Sequence, residues 1–264
     1  MPDIFDLLLR WWKKILLVVI LSVVAVGTIL YLKPKLYLST ATSVPASSVA
    51  ADKSKIFGDN IQGLYSNLGN SDDLDMIIGT ASLDTVYLFL ADSFSLKDHY
   101  KFEEENSLAR IHSADKLKSR SRVFKSDYGE LKVKVWDTDK NLAPQLANTI
   151  MAKLQQMQQD LQAAGNTSTL SALQKKLVAL KLQKDSVQTG INQADKQQEI
   201  VTYEKLISQY QLLIENKPLA LIPVEKARAS LQPDKPRILE DMVTAALLSL
   251  LFALVAALVL DRNK

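Results

Sequence analysis

The chain has 264 residues, no cysteine, and 32 basic against 29 acidic side chains. Its net charge of +3 falls as +1 over residues 1–32, +1 over 242–264 and +1 over everything between. The missing cysteine excludes disulfides, thiolate catalysis and cysteine-ligated zinc, and without a basic tract nucleic-acid binding has no electrostatic support. A mean hydropathy of +0.01 is the average of two apolar ends and a polar middle.

Arg10, Lys13 and Lys14, with Trp11 and Trp12, precede an uncharged apolar run, Ile15–Leu32. As a helix it is about 27 Å long, close to a hydrocarbon core of about 30 Å. It exceeds a signal-peptide core and ends in Tyr31-Leu32-Lys33-Pro34-Lys35 with no A-x-A cleavage pattern, so an uncleaved anchor is expected. Tyr37–Val44 alternates and is rich in β-branched residues, which predicts a strand ended by Pro45. Lys53–Leu68 reads as a helix broken by Gly69-Asn70-Ser71, and Ser71 or Asp72 caps the next helix, through Ile78. A helix over Ser82–Asp92 puts Leu83, Val86, Tyr87 and Leu90 on one face, and Asn106–Ser119 is a weaker amphipathic stretch.

Ser121–Lys125 and Leu131–Trp136 read as a hairpin turning at Ser126-Asp127-Tyr128-Gly129, with Leu131, Val133 and Val135 facing one way. Asp137 or Thr138 then leads into a helix from about Leu142 to Ala164, ended by Gly165-Asn166. Thr167 or Ser168 caps the longest expected element, a helix of about 70 Å running to Asn216 and stopped by Lys217-Pro218. Leu170, Leu173, Leu177 and Leu180 have coiled-coil spacing, interrupted at Lys184 and resumed at Val187, Ile191 and Ala194. Ile200, Tyr203, Ile207, Tyr210 and Ile214 follow another phase, with a slip near Gln197. The plainer reading is a helical hairpin with residues 142–164 packed on part of it; the other is a long rod that only dimerises. Leu219–Val224 is the last expected strand, and Pro233-Asp234-Lys235-Pro236-Arg237 feeds a second apolar run, Met242–Leu260. That run has no charge and no amide and is closed by Asp261-Arg262-Asn263-Lys264.

The expected architecture is an α+β membrane protein. Residues 1–14 and 261–264 are short, mildly positive ends on the cytoplasmic side, and 15–32 and 242–260 are transmembrane helices. Residues 33–241 form one excursion into the opposite compartment, with a small mixed sheet near the bilayer and a helical arm, about 142–216, projecting away.

Few residues suggest a site. Ala245, Ser249, Ala253 and Ala257 recur every four residues and form a stripe that lets another membrane helix approach closely. Pro233 and Pro236 cannot belong to a continuous helix and are expected to fix the angle between the sheet and the second anchor. Glu240 and Asp241 sit where they complement the dipole of the anchor helix. His99 and His112 lie in separate segments without metal-ligand spacing and read as ordinary surface residues; no metal, cofactor or catalytic constellation is expected. Lys175, Lys176, Lys181 and Lys184 could meet an anionic glycan, a solvated coiled-coil flank being the plainer reading. The run Gln155-Gln156-Met157-Gln158-Gln159 reads as exposed helix.

Three segments carry a resemblance. Asp3-Ile4-Phe5-Asp6-Leu7-Leu8 with Trp11-Trp12 stands at the start. Leu131-Lys132-Val133-Lys134-Val135-Trp136-Asp137-Thr138-Asp139 is followed by Ala143, Ala147-Asn148 and Ile150. Ala229, Pro233, Pro236 and Arg237 precede the second anchor. With the two terminal anchors, these resemble the Wzz-type chain-length determinants, the polysaccharide co-polymerases of bacterial inner membranes. Ser230-Leu231 stand where the family often has a further proline, and the kinase of larger relatives is not expected, since no G-x-x-x-x-G-K-[ST] occurs. The resemblance implies a non-catalytic regulator of lipopolysaccharide O-antigen, capsule or exopolysaccharide length. It implies a ring-like homo-oligomer in the inner membrane with its central domain in the periplasm. Its partners would be a separate membrane polymerase, the growing glycan and the bilayer. Two other classes stay open: a two-helix periplasmic sensor or receptor, which needs a separate signalling partner, and an export adaptor, which usually has one anchor and lipoyl-like domains.

Overall fold

Both apolar runs become long helices. The computed structural model describes residues 4–46, 73–185 and 191–262. Helix α1 spans Ile4–Leu32 and the last helix, α8, spans Ile238–Arg262. Their apolar portions, Trp11–Leu32 and Ile238–Leu260, are long enough to cross a membrane and start earlier than the expected spans. The pair is antiparallel: a Cβ added at Gly27 would lie 3.7 Å from Met242 Cε, and at the other end Trp11 and Ile15 pack on Ala253, Leu254 and Ala257. Trp11–Lys14 lie at the same helix end, where the Lys14 ammonium sits 4.3 Å from the Trp11 ring centroid.

The chain divides into two compact units. The first combines Met1–Leu38, Trp136–Ala143 and Ala229–Lys264, and the second combines Ser39–Val135 and Pro144–Arg228. In chain order, α1 is followed by β1 (Tyr37–Pro45), α2 (Asp73–Ala81), α3 (Asp84–Ser93), α4 (Leu96–Tyr100), α5 (Asn106–Ser119), β2 (Ser121–Lys125) and β3 (Leu131–Asp137). Then come α6 (Leu142–Asp185), α7 (Ile191–Asn216), β4 (Leu221–Glu225) and α8. The fold is α+β. The expected helix Lys53–Leu68, its breaker and the Ser71 or Asp72 cap lie outside the described residues.

The four strands form one sheet in the order β2-β3-β1-β4. β2 and β3 make the expected antiparallel hairpin, with Val123 opposite Val133, and β1 and β4 pair antiparallel, with Val44 opposite Ile222. Leu131, Val133 and Val135 are fully buried, and against them the second unit packs Leu74, Val86, Leu90, Leu117, Leu146, Ile150 and Leu154 into one core. Each such side chain contributes about 1.5–3 kcal/mol by leaving water. Leu83, expected on the buried face of α3, is instead the residue before its first turn and is half exposed. Helix α4 had no sequence signal. It is five residues long and bounded by Ser95 and Lys101, both in left-handed backbone geometry, so no periodicity can develop.

The main correction concerns the arm. Gly165-Asn166 does not end a helix, and neither Thr167 nor Ser168 caps one: α6 runs unbroken for 44 residues, roughly 66 Å. The Thr167 and Thr169 hydroxyls donate back to the carbonyls of Ala163 and Gly165, which is the bonding of helix interior, and Asn166 is buried. Helix α6 ends at Asp185 and α7 begins at Ile191. The two helices are antiparallel partners, because Lys181 meets Glu204 at 2.8 Å while Gln159 donates to the carbonyls of Lys217, at 2.7 Å, and Pro218. Leu180, Ile200, Leu206 and Tyr210 are buried on this hairpin. Leu170–Leu180 therefore belong to α6 and Ile200–Ile214 to α7, while Ile191 and Ala194, expected to continue the first phase, stand at the start of α7.

The glutamine run is corrected too. Gln158 is buried, the Gln155 Oε1 accepts from the Leu221 N–H at 2.6 Å, and Gln159 holds the end of α7. These three glutamines are packed at the base of the hairpin.

Gly165 decides between the two readings of the arm. A Cβ there would meet nothing within 4 Å, so in a continuous helix Gly165→Ala should raise stability by about 0.5–1 kcal/mol. Chemical denaturation followed by far-ultraviolet circular dichroism checks this, since a helix-ending glycine would make the same change destabilising.

Candidate functional site

Alternation along β3 sends Leu131, Val133 and Val135 inward and leaves Trp136 half-buried at the strand's end. The next residue, Asp137, is fully buried, and its Oδ1 accepts from the Asp139 N–H at 2.9 Å. Asp139 repeats the arrangement one step on, accepting from the Asn141 N–H at 2.8 Å. Two successive Asx-type bonds thus turn the chain from strand to helix and satisfy backbone donors ahead of α6.

In the first unit, Trp136 meets the segment before α8. Its Nε1–H donates to the Asp234 Oδ2 at 2.7 Å, and the Lys235 ammonium lies 4.6 Å from the Trp136 ring centroid. The backbone joins in: the Leu36 N–H donates to the Lys235 carbonyl at 3.0 Å, and the Asp234 N–H to the Leu36 carbonyl at 2.8 Å. Arg237 reaches Asp234 at 3.1 Å and Glu240 at 3.2 Å. The Trp136 indole first, and Arg237 after it, hold the Asp234 carboxyl below the ordinary aspartate range against a desolvation that pushes it up. A cavity of about 500 Å³ opens here, lined by Lys33, Trp136, Asp234, Lys235, Pro236 and Asp241 among others.

A second junction lies in the second unit. The Asn148 side chain makes reciprocal bonds with one peptide: its Oδ1 accepts from the Ala227 N–H at 2.9 Å, and its Nδ2 donates to the Ala227 carbonyl at 3.2 Å. The Ser39 hydroxyl donates to the next carbonyl, Arg228, at 2.8 Å. An apolar cavity of about 390 Å³ adjoins this clamp, lined by Ala41, Met151, Gln155, Leu221 and Pro223 among others.

The remaining expected residues are scattered. Ala253 and Ala257 are buried on Trp11 and Ile15 of the chain's own α1, while Ala245 and Ser249 are half-buried. Pro236 lines the larger cavity and Pro233 is exposed. Lys175 and Lys176 are exposed, Lys181 pairs with Glu204, and the Lys184 side chain lies outside the described residues. His112 approaches Glu104 at 2.6 Å, and His99 lies against the Tyr100 ring. No group of metal-ligating side chains forms among the described residues. Sequence reasoning missed both junctions. Asn148 stood in a segment singled out by resemblance and Asp234 in one singled out also for its prolines, and nothing in their local pattern names a partner 79 or 98 positions away.

Among the solved structures similar to the chain are two polysaccharide co-polymerases. One is a full-length bacterial polysaccharide co-polymerase, at 17% identity and a TM-score of 0.41, covering 100% of this chain and 97% of that one. The other is a fragment of WzzB, a polysaccharide co-polymerase from Salmonella Typhimurium, at 15% identity and a TM-score of 0.41, covering 76% of this chain and 100% of that one. No family model matches the chain, and no curated protein matches it by sequence.

Two measurements test this geometry. Because Asp234 has a lowered pKa, its bonds stabilise the folded chain fully above about pH 4 and are lost as pH falls through its own, lower value. With Trp11 and Trp12 replaced by Phe, Trp136 fluorescence should report that acid transition, and Asp234→Asn should abolish it. Separately, cysteines introduced by Gly27→Cys and Met242→Cys should be bridged within one chain by a short bis-maleimide. Ala253→Leu with Ala257→Leu should cut that intrachain yield severalfold, and an undiminished yield would mean that the two alanines do not seat α8 on α1.

Proposed function

We propose that the chain is a non-catalytic regulator of bacterial surface polysaccharide length, an oligomeric co-polymerase of the inner membrane working beside a separate polymerase. One observation carries the reading. The strand–acidic turn–helix segment and the segment before the second anchor, which resemble the same family, are bonded to each other through Trp136–Asp234, and Asn148 of the first segment also holds Ala227, two residues ahead of the second. Segments that share only a chance likeness would have no reason to meet.

The chemistry fits such a role. Around Asp234 an indole, a guanidinium and two backbone bridges converge on one short segment and hold it in place. Such a site transmits position and makes or breaks no bond. The polymerase would meet the two apolar helices in the bilayer, the central part of the chain would lie in the periplasm with both ends in the cytoplasm, and copies of the chain would gather around the growing glycan. Lys175 and Lys176, exposed on the flank of the hairpin, would be available to an anionic glycan, and Ala245 and Ser249 to a neighbouring helix.

Deletion of the chain from its host, with complementation by Asp234→Ala or Trp136→Ala, tests the proposal. Gel analysis should show a shifted length distribution with unchanged sugar composition in the deletion, restored by the native chain and not by either variant. Unaltered glycans together with a lost transcriptional response would indicate a sensor, and accumulated export substrate an adaptor.

A further inference from the structure

The cavity between the end of α1 and the start of α8 has features that holding the chain together does not require. Lys33 directly follows the last residue of α1, and Arg237 directly precedes the first of α8, so the cavity they line lies at the depth where hydrocarbon gives way to headgroups. Trp136 on its wall is the residue type enriched at that boundary. Around it the two helix ends expose Tyr31, Leu32 and Leu239, each more than three-quarters accessible, as an apolar rim.

Its charges divide unevenly. Asp234 is engaged by Trp136 and Arg237, and Arg237 is shared with Glu240. Lys235 stands over the Trp136 ring and also attracts the Asp234 carboxylate, and Lys33 is exposed. Asp241 is the one other carboxylate on the described wall. Two lysines therefore line a cavity of about 500 Å³ with an apolar rim, and Asp241 is the carboxylate on its wall outside the ion pairs that Arg237 makes.

We infer that this cavity binds the phosphate of a glycerophospholipid headgroup, held by Lys33 and Lys235, with the acyl chains along Leu32 and Leu239. A free phosphate would gain nothing from that rim, whereas a lipid gains both the ion pairing and the contact with the exposed leucines. The site does not depend on the length-control reading.

The test uses the full chain purified in neutral detergent and titrated with phosphatidylglycerol, followed by native mass spectrometry. One phosphatidylglycerol should be retained per chain, and diacylglycerol, which lacks the phosphate, should not be. Lys33→Gln with Lys235→Gln should weaken retention by about thirtyfold, and Lys33→Gln alone, which leaves the Trp136 contact intact, by about fivefold. Asp241→Asn should strengthen it by a similar factor, a direction that general damage to the fold would not produce. Equal retention of diacylglycerol, unchanged retention by the lysine variants, or displacement by equimolar inorganic phosphate would each overturn the assignment. Loss of this site with normal glycan length, or the reverse, would separate it from the proposed function.

Discussion

The structure depends on bringing the two ends of a long excursion to one place. About two hundred residues separate Lys33 from Arg237, and closing a flexible loop of that length costs about 5 kcal/mol in chain entropy. The antiparallel pairing of α1 with α8 does part of this work, because the alanines at 253 and 257 let α8 seat closely on Trp11 and Ile15. Past the helix ends, the Leu36–Lys235 bridge continues the convergence through backbone hydrogen bonds, and Trp136 joins it from the middle of the sequence. Three chain segments distant in sequence are thus bonded within a few residues of one another.

Within that convergence the bond from the uncharged indole to the carboxylate outranks the ion pairs. Arg237 is more than half exposed and divides its charge between Asp234 and Glu240, so its pairs are screened and contribute little, as exposed pairs do. The Trp136 indole is fixed by its place on β3, has one donor and spends it on Asp234. It is the leading cause of that carboxyl's lowered pKa. A rigid strand end holding a short carboxylate is a better positioning device than a long cation, because little side-chain entropy is lost in making the bond.

How far the sequence disclosed this fold depended on the kind of signal. Where periodicity decides, it was legible: the apolar runs, the β2–β3 hairpin with Val133 and Val135 inward, and the start of α6 at Leu142 all follow from residue spacing. Where local chemistry conflicts with packing, it misled. Gly165-Asn166 is a good helix ending in isolation, yet glycine in a helix costs only about 1 kcal/mol, and a helix packed on a partner along its length absorbs that. The candidate site was least legible. Trp136, Asn148 and Asp234 each looked ordinary, and their meaning lies in partners that only the fold supplies.

The glutamines show why so permissive a hairpin settles in one register. The apolar residues of α6 and α7 recur every three or four positions, and such a seam could slide by one turn, about 5.4 Å, with leucine replacing leucine. The amides forbid this. Gln159 donates to two consecutive carbonyls past the end of α7, and Gln155 accepts from the first N–H of β4, so a shift of one turn would strip the partners from a half-buried stretch of backbone. Each abandoned group costs about 1–3 kcal/mol, more than a slipped apolar contact loses. Apolar spacing makes α6 and α7 pack, and a few polar side chains at their base decide where.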